Sequence, residues 1–307
     1  MTTLPDDRST ATSRSTAQYQ HFFPGWGYIL RRHLGGECRG VMANYMDASF
    51  PDAGISYQVL DCLLRQFTEF RKAELSASAV VLGVIPSILQ LLSPTPAETA
   101  TLALRRPVLA LLLSASTASS SPLRPGQRVG EPAPPPHSDA PLPGLAVFPA
   151  AVSALEYAVA AAAAANTAYR TYQLCVWTVC TFSPTQAFLP AVWHAAALFL
   201  HLLGWTATLV RFRGGRGRWL GSELTPSAWA GGFALEKRRG GPGYVLLAME
   251  SVMYVAVPMQ IFYGTIILSS LVFVSVFDAV VLACWYALST VLCRAILVYE
   301  IAGMRQQ

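Results

Sequence analysis

Long apolar stretches separated by polar and basic loops dominate the chain after about residue 76. Near-continuous apolar segments run from about 76 to 92, 145 to 165 and 188 to 210, and a final stretch runs from 244 to 299. A helix needs about 20 apolar residues to cross the hydrocarbon core of a bilayer, so the final stretch is long enough for two crossings. The pattern predicts an all-α membrane protein with about five transmembrane helices.

The segment Leu102–Ser114 predicts a shorter helix between the first two crossings. Its apolar part covers only about ten residues, which is about half the length of a crossing. Arg105 and Arg106 lie at its start. We therefore expect an amphipathic, interfacial or re-entrant helix here. If the segment crossed instead, the chain would have six crossings and a cytoplasmic N-terminus.

Composition divides the chain into alternating polar and membrane parts. Residues 1–75 predict an extracytoplasmic segment with a disordered start and, from Tyr57 to Glu74, an amphipathic helix with apolar residues at helical spacing. No cleavable signal peptide is expected at the start. The predicted parts that follow are the first crossing and short helix (76–115), a disordered Pro/Ser/Gly-rich linker (116–144), the second and third crossings (145–210), a basic loop (211–243) and a C-terminal hairpin with a short tail (244–307).

Charge supports the membrane assignment and predicts an orientation. Hydrophobic residues make up 53% of the 307 residues and charged residues 13%, about half the charged share of a soluble domain. The loop 211–243 contains seven Lys and Arg residues, which favours the cytoplasmic side. With five crossings, the C-terminus is then cytoplasmic and the N-terminus lies outside. Plasma membrane and endomembrane fit equally well.

The same loop indicates a lipid partner. Its basic run consists of Arg211, Arg213, Arg216 and Arg218, which is suited to anionic lipid headgroups. The run directly follows an apolar segment, so we interpret it as a topology signal and not as a nucleic-acid site. The alanine tract 160–165 would let a neighbouring helix, or a second copy in a homo-oligomer, approach closely.

Four of the six cysteines fall on the predicted outer side: Cys38, Cys62, Cys175 and Cys180. Four cysteines in an oxidising compartment can form two disulfides in three alternative connectivities. The local pairings would join Cys38 to Cys62 and Cys175 to Cys180. The alternative is four thiols.

Ionisable groups inside predicted crossings are the candidates for function, because charge is costly there. Glu156 lies near the middle of the second crossing, and His194 and His201 lie seven residues apart on one face of the third. Counting along both helices places Glu156 and His201 at similar depth, as a proton or ion site or as a structural hydrogen bond. The same counting pairs Glu250 with Arg294 across the final hairpin, as a structural ion pair.

Several sequence segments of the chain resemble those of a family of uncharacterised multi-pass membrane proteins of filamentous fungi. They are residues 37–46 (ECRGVMANYM), 70–89 (FRKAELSASAVVLGVIPSIL), 104–113 (LRRPVLALLL) and 293–304 (CRAILVYEIAGM). The resemblance implies a shared membrane core and an outward N-terminal segment, and it implies no activity.

The function expected from these features is non-enzymatic. No signature of a hydrolase, of a phosphate-binding loop or of a metal site occurs, and no cofactor or metal is expected. The chain is interpreted as a scaffold, sensor or assembly component. The alternative is a small transporter or channel that uses Glu156, His194 and His201. These two functions differ in whether those three side chains converge on a water-accessible cavity.

Overall fold

The computed structural model describes residues 17–47, 54–123, 148–213, 219–229, 236–237 and 243–304. The first 16 residues of the predicted disordered start, most of the predicted linker and about half of the basic loop, including Arg216 and Arg218, lie outside these residues.

More than three quarters of the described residues are helical, which confirms the all-α prediction. The eleven helices of the described ranges are α1 (Pro24–Gly35), α2 (Arg39–Met46), α3 (Ile55–Arg65), α4 (Glu69–Leu92), α5 (Pro96–Ala103), α6 (Pro107–Ala115), α7 (Pro149–Val176), α8 (Leu189–Arg211), α9 (Trp219–Leu224), α10 (Gly243–Ser269) and α11 (Val276–Gly303). Two antiparallel pairs of short strands complete them: β1 (Val179–Cys180) with β4 (Leu271–Val272), and β2 (Phe212–Arg213) with β3 (Glu236–Lys237).

Four of these helices, α4, α8, α10 and α11, are long and apolar enough to cross a membrane. The chain is therefore a membrane protein with at least these four candidate crossings. Helix α7 covers the second predicted crossing and is 28 residues long, but it is not among the four. Its polar residues, which include Glu156, Asn166 and Arg170, lower its mean hydropathy.

The chain divides into two compact units. The first, called the N-terminal unit below, comprises residues up to 83 together with 173–190 and 267–280. The second, called the helical unit, comprises 84–172, 191–266 and the residues from 281 onwards.

The N-terminal unit contains a hydrophobic core, which the sequence analysis did not predict. Trp26 and Leu30 of α1 pack with Ile55, Val59 and Leu63 of α3, and all five side chains are almost fully buried. Apolar residues four apart along α3 form one face of the helix, and this face is the one that enters the core. The predicted amphipathic helix from Tyr57 to Glu74 is instead broken: α3 ends at Arg65 and α4 begins at Glu69.

A disulfide joins Cys38, at the start of α2, to Cys62 of α3, with the two Cα atoms 5.9 Å apart. This confirms one of the two local pairings. The pairing of Cys175 with Cys180 is wrong, because both remain thiols. Cys180 lies in β1, which pairs with β4, and this pairing places its Sγ 3.1 Å from Ser270 Oγ.

The start of α11 is fixed to α1 within the N-terminal unit. Ser275 Oγ accepts a hydrogen bond from the Asp278 backbone N–H and donates one to Asp278 Oδ2, which caps α11. The same carboxylate oxygen accepts the Gly25 N–H at 3.0 Å. A side chain at Gly25 would bring its Cβ to 2.6 Å from that oxygen, so only glycine allows this approach.

In the helical unit, α5 and α6 are two short consecutive helices that pack against each other. Thr95 caps α5 through a capping box with Glu98. Residues 116–120, predicted to belong to a disordered linker, are buried instead. Ser121 then returns to the end of α4, where its N–H donates to Pro94 O at 3.2 Å. The described helical unit therefore includes residues 116–123 of the predicted linker.

Gly264 of α10 marks the closest helix packing in the helical unit. A Cβ at this position would overlap Trp193 Nε1 and lie 3.0 Å from Pro86 Cγ. Trp193 is fully buried and has no space to move aside. We expect Gly264→Ala to lower the free energy of unfolding by about 1–3 kcal/mol, the usual cost of overpacking.

The matched control is Gly243→Ala at the first residue of the same helix, where a Cβ would meet no atom within 4 Å. Unfolding of both variants in mixed detergent micelles measures the difference. Equal stability of the two variants would contradict the close packing of α10 on Trp193.

Candidate functional site

A fully buried arginine stands at the turn between α5 and α6. Arg106 Nη1 lies 2.5 Å from Glu156 Oε2 of α7 and 2.9 Å from Glu300 Oε1 of α11. Its Nη2 donates to Ser153 Oγ at 2.6 Å. The exposed fractions of the Arg106, Glu156 and Glu300 side chains are 0, 6 and 0%. We call these three residues the Arg106 cluster.

Local sequence explains why Arg106 reaches two other helices. Pro107 cannot continue a preceding helix, because its ring removes a backbone donor and restricts the residue before it. Arg106 accordingly has the non-helical dihedral angles φ −123° and ψ 72°. The break turns its side chain away from the axes of α5 and α6 and towards the carboxylates.

The second carboxylate of the cluster has additional donors. Glu300 accepts the Ser227 backbone N–H at 3.2 Å and the Ser227 hydroxyl at 2.7 Å. Glu156 has fewer, since its Oε1 has no hydrogen-bond partner among the described residues. One guanidinium therefore faces two carboxylates.

A further layer of polar contacts surrounds the cluster. Arg105 donates to the backbone oxygens of Thr225 and Pro226 at 3.0 and 3.2 Å. Glu223 accepts the Val108 N–H at 2.9 Å and the Tyr157 hydroxyl. These bonds join the α5–α6 turn to the segment 223–227, and the guanidinium of Arg106 also lies 5.3 Å from the centre of the Tyr157 ring.

Glu156 and His201, which sequence counting placed at one site, have different partners. Glu156 bonds to Arg106, whereas His201 Nδ1 lies 2.9 Å from Thr99 Oγ1 of α5. The Nε2 atom of His201 has no partner among the described residues. It belongs to a side chain lining a cavity of about 10 Å³, which is about the volume needed for one water molecule.

His194 lies in a separate hydrogen-bond chain. Its Nε2 is 3.1 Å from Ala115 O, the last residue of α6, and its Nδ1 is 3.1 Å from Thr171 Oγ1. Thr171 Oγ1 is in turn 3.0 Å from the Tyr286 hydroxyl. Both ring nitrogens are thus occupied by protein groups, and the chain links α6, α7, α8 and α11.

The predicted Glu250–Arg294 ion pair is wrong. Arg294 Nη1 donates to Ser93 O at 2.7 Å and lies 4.0 Å from Glu98 Oε2. Ser93 directly follows α4, where backbone carbonyls have no partner within the helix and favour a cation. Glu250 Oε1 has no hydrogen-bond partner among the described residues. Equal depth on two helices did not imply that the side chains face each other.

Sequence reasoning missed Arg106 and Glu300 as partners of Glu156. The dipeptide Arg106–Pro107 was the available signal, because the proline predicts the end of a helix and the arginine places a positive charge at that point. No group of three or more metal-binding side chains occurs among the described residues. No family model matches the chain, and no curated protein and no solved structure is significantly similar to it.

Proposed function

We propose that the chain crosses the membrane five times and carries one re-entrant segment. In this arrangement α4 and α5 together form the first crossing, interrupted at Ser93–Thr95, and α7, α8, α10 and α11 form the other four. Neither α5, with 8 residues, nor α6, with 9, is long enough to cross alone.

Contacts with α11 support the re-entrant course of α6. At the start of α6 the chain meets Glu300 through Arg106, and at its end Ser116 Oγ lies 2.6 Å from Cys293 Sγ. Glu300 and Cys293 are seven residues apart on one helix, or about 10 Å along its axis. Helix α6 therefore runs alongside α11, from near the C-terminal end of α11 towards the middle of α11. Leu123 then packs against the cluster of Ala207 and Met253.

Five crossings place the N-terminus and the C-terminus on opposite sides of the membrane. The basic residues of the loop 211–243 favour the cytoplasm for the C-terminal side. The Cys38–Cys62 disulfide favours an oxidising compartment for the N-terminal unit. The two arguments are independent and agree on the orientation.

Within this topology we propose a non-enzymatic sensor, scaffold or assembly component. One observation carries the proposal: among the described residues, Glu156, His194 and His201 bond to different protein groups and do not form one shared site. Glu156 is neutralised by Arg106, both nitrogens of His194 are occupied, and the cavity at His201 is about the size of one water molecule. A transporter would need these side chains to line a shared aqueous route.

A proton-flux assay tests this function. The full chain is reconstituted in vesicles that contain a pH-sensitive dye, and a pH gradient is applied. We expect the flux to equal that of protein-free vesicles. We also expect Glu156→Gln and His201→Ala to leave it unchanged, because neither residue lies on a proton route. A flux through the unmodified protein that either substitution abolishes would favour the transporter alternative.

A further inference from the structure

The N-terminal unit carries a groove of about 710 Å³, a volume typical of small-ligand sites. Phe22 and Trp177 contribute apolar surface, and Tyr28, Arg31 and Arg32 of α1 project into the same space. We call it the Arg31–Arg32 groove. Tyr28 is 77% exposed, so an aromatic ring and two guanidinium groups are available at its edge.

The charge of the groove is positive. None of the described residues that line it is acidic. The nearest acidic residue after Arg32 in the sequence is Glu37, whose carboxylate lies 3.4 Å from His33 Nδ1. Glu37 does not line the groove. Arginine binds phosphate and carboxylate through several donors in a fixed plane. Two adjacent arginines beside aromatic rings therefore fit an anion that also bears apolar groups.

The position of the groove indicates which anion reaches it. Trp177 directly follows the last residue of α7, and its ring packs 5.3 Å from that of Phe23. Exposed aromatic residues also flank the ends of the neighbouring apolar helices, with Phe188 before α8 and Phe277 in the first turn of α11. Aromatic residues at helix ends are typical of the headgroup level of a bilayer.

We infer that the Arg31–Arg32 groove binds an anionic phospholipid, with its phosphate at Arg31 and Arg32 and its glycerol and upper chains against Tyr28 and Trp177. This inference rests on the proposed membrane crossing of α7, which places Trp177 at the headgroups. It assigns the proposed sensor a ligand class at its N-terminal unit.

The test uses the full chain purified in an uncharged detergent and short-chain dihexanoyl phosphatidic acid as the probe, with binding followed by calorimetry. The double variant Arg31→Ala/Arg32→Ala is expected to raise the dissociation constant about 30-fold, since each arginine contributes about a factor of five near an anionic headgroup. Dihexanoyl phosphatidylcholine, whose headgroup has no net charge, is expected to bind at least about tenfold more weakly.

The matched control is Arg39→Ala/Arg65→Ala, which removes two exposed arginines of the same unit that do not line the groove. We expect it to change the dissociation constant less than about twofold. An equal loss in both double variants would overturn the site, and equal binding of the two lipids would overturn the anion requirement. Inorganic phosphate binding as tightly as the lipid would overturn the lipid assignment. None of these results depends on the flux assay, so each proposal can fail alone.

Discussion

Replacing Arg106 with alanine is expected to lower the free energy of unfolding by about 3–5 kcal/mol, the usual cost of removing one partner from a buried ion pair. The guanidinium is the shared partner of two carboxylates, Glu156 and Glu300, and all three side chains are almost fully buried. Without it, two negative charges would remain in a low-dielectric environment. Denaturation of the purified protein in mixed detergent micelles measures the loss.

Two comparisons separate this cause from a general effect of losing an arginine. Arg65→Ala removes an exposed ion pair with Asp61 and should cost at most about 1 kcal/mol. The triple variant Arg106→Met/Glu156→Gln/Glu300→Gln removes the charges together and should recover more than half of the lost stability. If Arg106→Ala costs no more than Arg65→Ala, the Arg106 cluster does not hold the α5–α6 turn.

Removing the disulfide by Cys38→Ala/Cys62→Ala should destabilise the N-terminal unit by about 2–5 kcal/mol, because the bond closes a loop between α2 and α3. The two cysteines are 24 residues apart in sequence. The loss should be confined to this unit, so limited proteolysis should cut between residues 17 and 83 much sooner than in the unmodified protein.

The control for this experiment is Cys284→Ala, which removes an exposed thiol of α11. Its proteolysis pattern should match that of the unmodified protein. Adding a reductant to the unmodified protein should reproduce the double variant. Unchanged protease resistance after complete reduction would show that the hydrophobic core around Trp26 and Leu63 holds the unit without the disulfide.

The length and polarity of segments were sufficient to predict the candidate crossings. The stretch 244–299 exceeds one crossing and has its polar break near Ser275, and the structure indeed divides it between α10 and α11. The short apolar part of Leu102–Ser114 predicted a helix too short to cross, and the structure has two short helices there, α5 and α6. Both conclusions follow from the length of a helical turn and the thickness of a bilayer.

Side-chain partners were predicted poorly because depth along a helix does not give rotation about its axis. Counting placed Glu156 level with His201 and Glu250 level with Arg294. In the structure Glu156 forms an ion pair with Arg106, His201 forms a hydrogen bond with Thr99, and Arg294 donates to the backbone oxygen of Ser93. All three actual partners lie between the end of α4 and the start of α6. The length and hydropathy of this segment did not define its path.

The core of the N-terminal unit was also missed. Its residues come from separated segments: Trp26 from α1, Tyr45 from α2, Val59 from α3 and Phe273 from the turn after α10. Each segment alone is too short and too polar to indicate a core. The core forms only when these segments pack together, and one of the contacts that join them is the long-range contact of Phe273 with Phe22 at 6.3 Å.

The central claim is that the chain crosses the membrane completely twice between α3 and the turn that joins α7 to α8. It is tested by labelling single cysteines in intact vesicles with a membrane-impermeant thiol reagent, in a chain whose four thiols are replaced by alanine. The exposed positions are Arg39→Cys and Thr185→Cys in the N-terminal unit and Gly221→Cys in the helical unit. We expect Arg39→Cys and Thr185→Cys to label together from one side, and Gly221→Cys only from the other. Labelling of Arg39→Cys and Thr185→Cys from opposite sides would require an odd number of crossings between them and would contradict the re-entrant course of α6.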